Sequence, residues 1–432
     1  MDPGGPALGG IPPSDAARGP DPIARLSYPE LRVGSEVGRG GFSVVSLVER
    51  VDLGEAEAGS EAEAEVLARH DLSNTVLTRT GMSRYVVKTL RNDLPETEYT
   101  KGIVDLAVEA RFLSQLSHPN IISMRGMASS DPLEARFFVV LERLTVTLDY
   151  RLLEWRRECG AALGSLWLGP CLGHCLADRP ALNRIWIDRL LTARDVAAAV
   201  GYLHRNSVLY RDLKPDNVGY DGRGRPKIFD FGLAKRLHPD DHVGGGLYSL
   251  TGNTGSLRYM APEVALGLPY SHRADAYSFG IVLWQICALA TPYAGYTPAM
   301  HSDLVIDRGL RPRPSDDWPV PWTDLMRRCW SARIGSRPEF DEVVATLDQE
   351  IDDLLLEGGG EEGRRRQLAA IEAARVGDGG DGGDGGGLDL DLDLDLGGEE
   401  AAPLRGRGWD DGKEGEARPS PRSAAGIDIH IV

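Results

Sequence analysis

The sequence lacks the long apolar run that a bilayer requires. Its best candidate, Ser278 to Ala290 around Ile281-Val282-Leu283-Trp284, is shorter than the roughly 20 residues of a spanning helix, and Asp275 lies just before it. No basic segment followed by an apolar one opens the chain, so no signal peptide is expected. Cysteine is scarce and odd in number: Cys159, Cys171, Cys175, Cys287 and Cys329. Without a secretory signal, that count points to reduced thiols rather than a disulfide framework. A basic surplus is also missing, since the formal net charge is −17. That balance argues against a nucleic-acid partner. The expectation is a cytoplasmic protein with neither membrane nor nucleic-acid partners. The run Arg364-Arg365-Arg366 leaves a nuclear address open, although a solvated charge run is the simpler reading.

What is present is enough for a large core. The chain has 432 residues, 42% apolar and 26% charged. The 52 glycines are too many for one core and mark tails and insertions. Residues 1–27 are rich in Gly, Pro and Ala without a period and read as a disordered leader. Residues 357–432 read as a disordered tail rich in glycine and acid, with an Asp-Leu alternation from Leu388 to Leu396. Two stretches, 51–82 and 156–184, read as surface insertions.

Between these lie two textures. Leu31 to Gly38, Val44 to Arg50, Tyr85 to Leu90 and Arg136 to Leu141 are strand-like, and Val104 to Leu116 has helical spacing. From about Leu144 the pattern is helical, most clearly over Ile187 to Leu203 and Ala274 to Leu289. A small sheet lobe followed by a helical lobe leaves a cleft between them, where small ligands tend to sit.

The chemistry-bearing residues fall around that cleft. Gly38-Arg39-Gly40-Gly41-Phe42-Ser43-Val44-Val45 joins two strand-like runs, and its glycines let backbone amides approach phosphate oxygens. A dinucleotide fingerprint would need a helix after the glycines, and Val44-Val45-Ser46-Leu47-Val48 reads as strand. Lys88 ends Tyr85-Val86-Val87-Lys88, and Glu109 lies on the amphipathic helix. A buried lysine needs such a carboxylate to stay charged. The strongest signal is Val208-Leu209-Tyr210-Arg211-Asp212-Leu213-Lys214-Pro215-Asp216-Asn217, followed by Asp230-Phe231-Gly232. Asp230 and the Asn217 amide offer hard oxygen ligands suited to Mg²⁺. Asp212 can accept a hydroxyl proton, and Lys214 can neutralise a transferring phosphoryl group.

In this order, with Ala261-Pro262-Glu263, these motifs resemble the signature set of the eukaryotic protein kinases, serine/threonine type. The resemblance covers about residues 28–354. It implies an α+β bilobal protein kinase fold: a small β-rich N-lobe with one regulatory helix (about 28–142) and a larger, mainly helical C-lobe (about 143–356). It implies ATP and Mg²⁺ as ligands and protein substrates as partners. The catalytic set would be Asp212, Lys214, Lys88 and Glu109, with Asn217 and Asp230 on the metal. The nucleotide would meet Gly38, Arg39, Gly40, Gly41, Phe42 and Ser43 on the loop. It would meet Val45, Val86 and Lys88 on the strands, and Glu142 and Leu144 at the hinge.

Other roles follow from the same resemblance. Glu263 should pair with Arg337, Asp275 should anchor the catalytic loop, and Leu141 should be the gatekeeper. Tyr210, Phe231, Leu113 and Met124 should stack. Lys214 two residues after Asp212 is the serine/threonine pattern, and Leu310 to Pro314 through Cys329-Trp330 to Arg337-Pro338 is similar to the tyrosine-kinase-like branch of serine/threonine kinases. Three positions depart from the pattern. Ser43 replaces a glycine, Tyr210 replaces a histidine, and Gly219 replaces a leucine below the adenine, which implies extra room there. Arg211 commonly receives a phosphate, with Thr251, Thr254 and Ser249 as candidate acceptors in a segment whose Gly244 to Gly246 should be mobile. Cys159, Cys171, His174 and Cys175 could form a zinc site, but adjacent His174 and Cys175 match no standard finger. A pseudokinase remains the alternative, and the presence of Lys88, Asp212 and Asp230 favours catalysis.

Overall fold

The computed structural model describes residues 23–53, 63–134, 136–163, 178–357 and 360–377. The first layer is a six-stranded sheet in the order β1-β5-β6-β4-β3-β2. Its strands are β1 (Ala24–Leu26), β2 (Leu31–Arg39), β3 (Ser43–Val51), β4 (Tyr85–Leu90), β5 (Met124–Ala128) and β6 (Phe138–Glu142). Helix α1 (Glu63–Thr75) lies between β3 and β4, and α2 (Glu96–Leu113) between β4 and β5. β4 sits in the middle, paired antiparallel with both β3 and β6. Alternation along β4 therefore sends Val86 and Lys88 to one face.

The second lobe follows β7 (Leu144–Thr147) and is mainly helical. Helix α3 (Leu148–Ala162) leads to α4 (Arg179–Arg205). Short strands β8 (Val208–Leu209), β9 (Val218–Asp221), β10 (Pro226–Ile228) and β11 (Lys235–Arg236) frame the loops of the cleft. A hairpin of β12 (His242–Gly244) and β13 (Leu247–Tyr248) precedes α5 (Arg273–Ala288), which is buried almost throughout. Helices α6 (Val320–Cys329), α7 (Phe340–Glu357) and α8 (Gly360–Gly377) complete the lobe. No helix among the described residues is long and apolar enough to cross a membrane.

Four sequence expectations are corrected here, the first being the 156–184 insertion, whose ends belong to helices: 156–162 to α3 and 179–184 to α4. The leader, placed at 1–27, ends earlier: Ala24–Leu26 is a strand paired parallel with β5, and Ala24 and Leu26 are fully buried. Three residues are too few to show a period, so composition hid it. The 51–82 insertion is not simply a surface excursion. In α1, Ala68 and Leu72 lie one turn apart and bury a narrow stripe. Arg69 bonds Glu30 (2.6 Å) and the Arg25 carbonyl (2.8 Å), and Ser73 bonds the Val51 carbonyl (2.9 Å). The tail, placed at 357–432, begins with α8. Leu388 to Leu396 lies outside the described residues, as do Cys171, His174 and Cys175; Cys159 ends up on α3.

α8 is held by charge as well as by Ile371, which is 2% exposed. Arg375 Nε lies 2.6 Å from Asp188 Oδ1, while Nη2 donates to the Asp188 carbonyl (3.1 Å) and Thr192 Oγ1 (3.2 Å). The other Asp188 oxygen accepts from Arg151 (3.1 Å) and Trp155 Nε1 (2.8 Å). Burial pushes the Asp188 carboxyl up, but Arg375 and Arg151 outweigh it and hold it below the ordinary range. The β9–β10 turn passes beside this pair at Gly224, with φ +70°, where a Cβ would stand 2.2 Å from that of Arg375. Only glycine suits both the backbone and the gap. Arg364, part of the basic run, pairs instead with Asp352 at 2.8 Å.

Removing one partner of a buried pair is costly, although Asp188 keeps Arg151 and Trp155. Arg375→Ala is therefore expected to lower unfolding free energy by about 2 kcal/mol. Arg364→Ala, at a more exposed pair, should change it by about 0.5 kcal/mol or less. Urea denaturation of the two variants checks the difference.

Candidate active site

The loop between β8 and β9 is shaped by one carboxylate. Asp275 on α5 is fully buried and accepts from the backbone N–H of Tyr210 (2.9 Å) and Arg211 (2.8 Å). Its Oδ2 also lies 2.8 Å from His204 Nε2. These bonds hold Arg211 at φ +73°, a region that non-glycine residues seldom occupy. Tyr210 Oη donates to the Phe229 carbonyl, one residue before Asp230, which is itself held at φ +64°. The Tyr210 and Phe231 rings meet edge to face, 5.3 Å between centroids, with Leu113 and Met124 in the same core.

Asp212 is presented by a closed set of bonds. Its Oδ1 accepts from the Ser256 N–H (2.9 Å). Its Oδ2 accepts from Asn217 Nδ2 (2.8 Å) and lies 3.1 Å from Lys214 Nζ. Asn217 Nδ2 also donates to the Asp212 carbonyl (2.9 Å), so both acceptors demand the amide nitrogen. The amide oxygen is thereby the atom that a cation would meet. Lys214 Nζ donates to Ser256 Oγ at 2.8 Å, which ties the catalytic loop to the segment ahead of Ala261-Pro262-Glu263. Glu263 accepts from Arg337 Nη2 at 2.8 Å, the expected buried pair.

On the opposite wall, Lys88 Nζ lies 2.6 Å from Glu109 Oε2 and 3.4 Å from Asp230 Oδ1. Burial alone would lower the Lys88 pKa, but Asp230 and Glu109 together raise it, so the ammonium stays charged. Lys88 in turn holds the Asp230 carboxyl below its ordinary value against the effect of burial. Asp230 and the Asn217 amide oxygen are hard oxygen donors, a set that fits a divalent cation.

The remaining predicted contacts divide. Gly38 pairs with Val45 across β2 and β3, and the Gly40 N–H donates to the Ser43 carbonyl (2.8 Å) to close the turn through Gly41. Val86 pairs with Leu141 in the sheet behind them. Three of these residues have side chains engaged elsewhere. Arg39 pairs with Glu36 at 2.8 Å on the exposed side, so only its backbone belongs to the loop. The Phe42 side chain packs on α2 at Gly102. Glu142 turns its Oε1 to Lys227 Nζ (2.8 Å) and the Ser123 N–H (2.7 Å), because a buried lysine claims it. Lys227 had no sequence signal to set it apart from a surface lysine.

The room implied by Gly219 is also absent. A Cβ there would stand 2.6 Å from Leu144 Cδ1 and 3.3 Å from Phe229 Cε1. Leu144, expected to touch the nucleotide from the hinge, leans into the gap that the glycine leaves. In the segment from Asp230 to Glu263 the glycines are exposed and sit in a hairpin. Gly244 ends β12, Gly245 and Gly246 form the β12–β13 turn, and Tyr248 exchanges backbone bonds with Tyr270 (2.9 and 3.1 Å). Arg211 Nε donates to the Leu233 carbonyl (2.5 Å). The Tyr270 hydroxyl donates to the Thr251 carbonyl at 2.8 Å.

Residues 52–347 match the family model described as protein tyrosine and serine/threonine kinase. Similar curated proteins include the serine/threonine-protein kinase STY17 of Arabidopsis thaliana, 38% identical over 37% of this chain and 27% of its own length. The serine/threonine/tyrosine-protein kinase HT1 of the same plant is 34% identical over 39% of this chain and 41% of its own. The dual specificity protein kinase shkA of Dictyostelium discoideum is 28% identical over 59% of this chain and 44% of its own. The matched part thus spans less than half the length of each of these relatives. The family match covers well over half of the chain and includes the Lys88, Asp212 and Asp230 network, and the chain belongs to the protein tyrosine and serine/threonine kinase family.

Proposed function

We propose that the chain is an Mg²⁺-dependent kinase that transfers the γ-phosphoryl group of ATP to serine or threonine hydroxyls of protein substrates. The observation that carries this reading is the Asp212 carboxylate, bonded to Lys214, Asn217 and Ser256, in one cleft with Lys88, Glu109 and Asp230. The acceptor oxygen would attack the γ-phosphorus as the bond to the bridging oxygen breaks and ADP leaves. Asp212 would take the hydroxyl proton. Lys214 would steady the moving phosphoryl group, and Lys88, fixed by Glu109, would hold the inner phosphates. A divalent ion at Asp230 and Asn217 would supply charge neutralisation of the phosphate oxygens. The 2.8 Å bond from Lys214 to Ser256 supports serine/threonine choice, since it fixes the lysine beside the acceptor position.

Asp212→Asn should lower kcat by about 10²–10⁴-fold while Mg-ATP still binds. A labelled transfer assay with phosphoamino-acid analysis checks both parts. Phosphotyrosine alone would overturn the acceptor choice, and wild-type turnover would overturn the role of Asp212.

The segment's internal bonds also bear on activation. Arg211 is already engaged by the Leu233 carbonyl. Phosphatase treatment, Thr251→Ala and Thr254→Ala should therefore each leave kcat/KM within about twofold of the parent, well under the tenfold that 1.4 kcal/mol would produce. The kinetics of the three samples decide this.

Because Leu144 fills the gap at Gly219, Gly219→Leu should overpack the floor at a cost of about 1–3 kcal/mol. Calorimetric ATP affinity should fall. Adding Leu144→Ala should recover most of the loss.

A further inference from the structure

We propose that Phe42, at the tip of the glycine-rich turn, and Gly102, on α2, form a lock that couples the turn to the helix carrying Glu109. Both act as positioning residues, and the proposal rests on the kinase reading above. Gly102 lies inside an 18-residue helix, where glycine weakens the local structure relative to alanine. It is also buried. What it faces accounts for it. A Cβ at this site would stand 2.9 Å from Phe42 Cβ, 3.0 Å from Leu90 Cδ2 and 3.5 Å from Phe42 Cγ. The Leu90 methyl ends a flexible chain and can give way. Phe42 Cβ is one bond from the backbone, so relief there requires the turn or the helix to move.

The ring is held further by Lys101, whose Nζ lies 5.0 Å from its centroid, within cation–π range. The turn has its own tether to the end of β4. The Phe42 carbonyl accepts from the Arg91 N–H (3.0 Å), and the Gly41 carbonyl from Arg91 Nη1 (3.1 Å). Asp93 in turn steadies Arg91, at 2.8 and 2.9 Å. The seated ring thus joins the phosphate-facing turn, the end of the lysine strand and α2. Gly102 precedes Glu109 by seven residues, two helical turns along the same face. A displacement at Gly102 is therefore carried to the carboxylate that reaches Lys88 at 2.6 Å. Seating Phe42 sets the turn's backbone amides and the Lys88–Glu109 pair together.

Local preference and coupling predict opposite results, which makes the lock testable. Gly102→Ala improves helix propensity, so a merely local role for the glycine would leave activity intact and raise the melting temperature. Coupling predicts that Gly102→Ala and Phe42→Ala each lower kcat/KM for ATP by about tenfold, as expected for small misplacements of reacting groups. The double variant should be no worse than Phe42→Ala alone, because the slot no longer matters once the ring is gone. Wild-type kcat/KM in Gly102→Ala, or losses that multiply in the double variant, would overturn the lock. Should Gly102→Ala fail to fold, the double variant is expected to fold, and its failure too would count against the proposal. If the parent chain shows no transfer beyond Asp212→Asn, the kinase reading fails separately. Calorimetric Mg-ADP affinity of the same three variants then decides: the same pattern supports the lock, and equal affinities sink it.

Discussion

The cleft depends on a carboxylate that touches no substrate. Asp275 sits fully buried on α5 and spends its oxygens on two successive backbone amides and one imidazole. A buried charge is tolerable only when it is so satisfied. Its position on a helix buried almost throughout makes it a fixed point. From it follow the left-handed backbone at Arg211 and the direction in which Asp212 leaves the loop. Tyr210 then passes the constraint onward, because its hydroxyl holds the carbonyl just before Asp230. One interaction in the helical lobe therefore sets the attitude of Asp212 and of the backbone at Asp230.

The sheet lobe meets this frame through charge rather than packing alone. Lys88 stands between Glu109 and Asp230, carboxylates from two different elements. Burial opposes its charge, and only the two acids together reverse that effect. The pairing consequently reports whether α2 is in place. If the helix withdraws, the lysine loses one of the groups that keep it charged. A second bridge lies behind the cleft, where Lys227 on β10 reaches Glu142 at the end of β6. The lobes are thus joined by ion pairs on both sides of the cleft.

How much of this was legible in the sequence depended on the kind of pattern involved. Residues whose chemistry is tied to a contiguous motif, such as Asp212, Lys214, Asn217 and Asp230, could be read directly, and the structure brings them together. Long periodic helices could be read as well, although α2 begins at Glu96 rather than near Val104 because its first turns carry polar residues. What could not be read were contacts between residues far apart in sequence. Nothing around Gly219 signals that Leu144 fills its gap, and nothing around Glu142 signals that Lys227 claims its carboxylate. Composition also misled at the edges: β1 was hidden in a Gly- and Pro-rich start, and α8 in a glycine-rich end.

Those edge elements share a physical logic. α1 has an apolar stripe of only Ala68 and Leu72, and α8 shows Ile371 as its deeply buried apolar residue. Among the described side chains, both stripes are narrow. Each is supplemented by an arginine bonded to a carboxylate and to a backbone carbonyl: Arg69 with Glu30 and Arg25, and Arg375 with Asp188. Such two-part anchors have directional requirements that a greasy stripe lacks. They fix where a helix sits and how it is rotated, not merely that it adheres. These two helices are therefore braces with defined registers, one on the sheet beside β1 and one on α4 against the β9–β10 turn. Their specificity lies in single arginines, which is why hydrophobic periodicity could not reveal them.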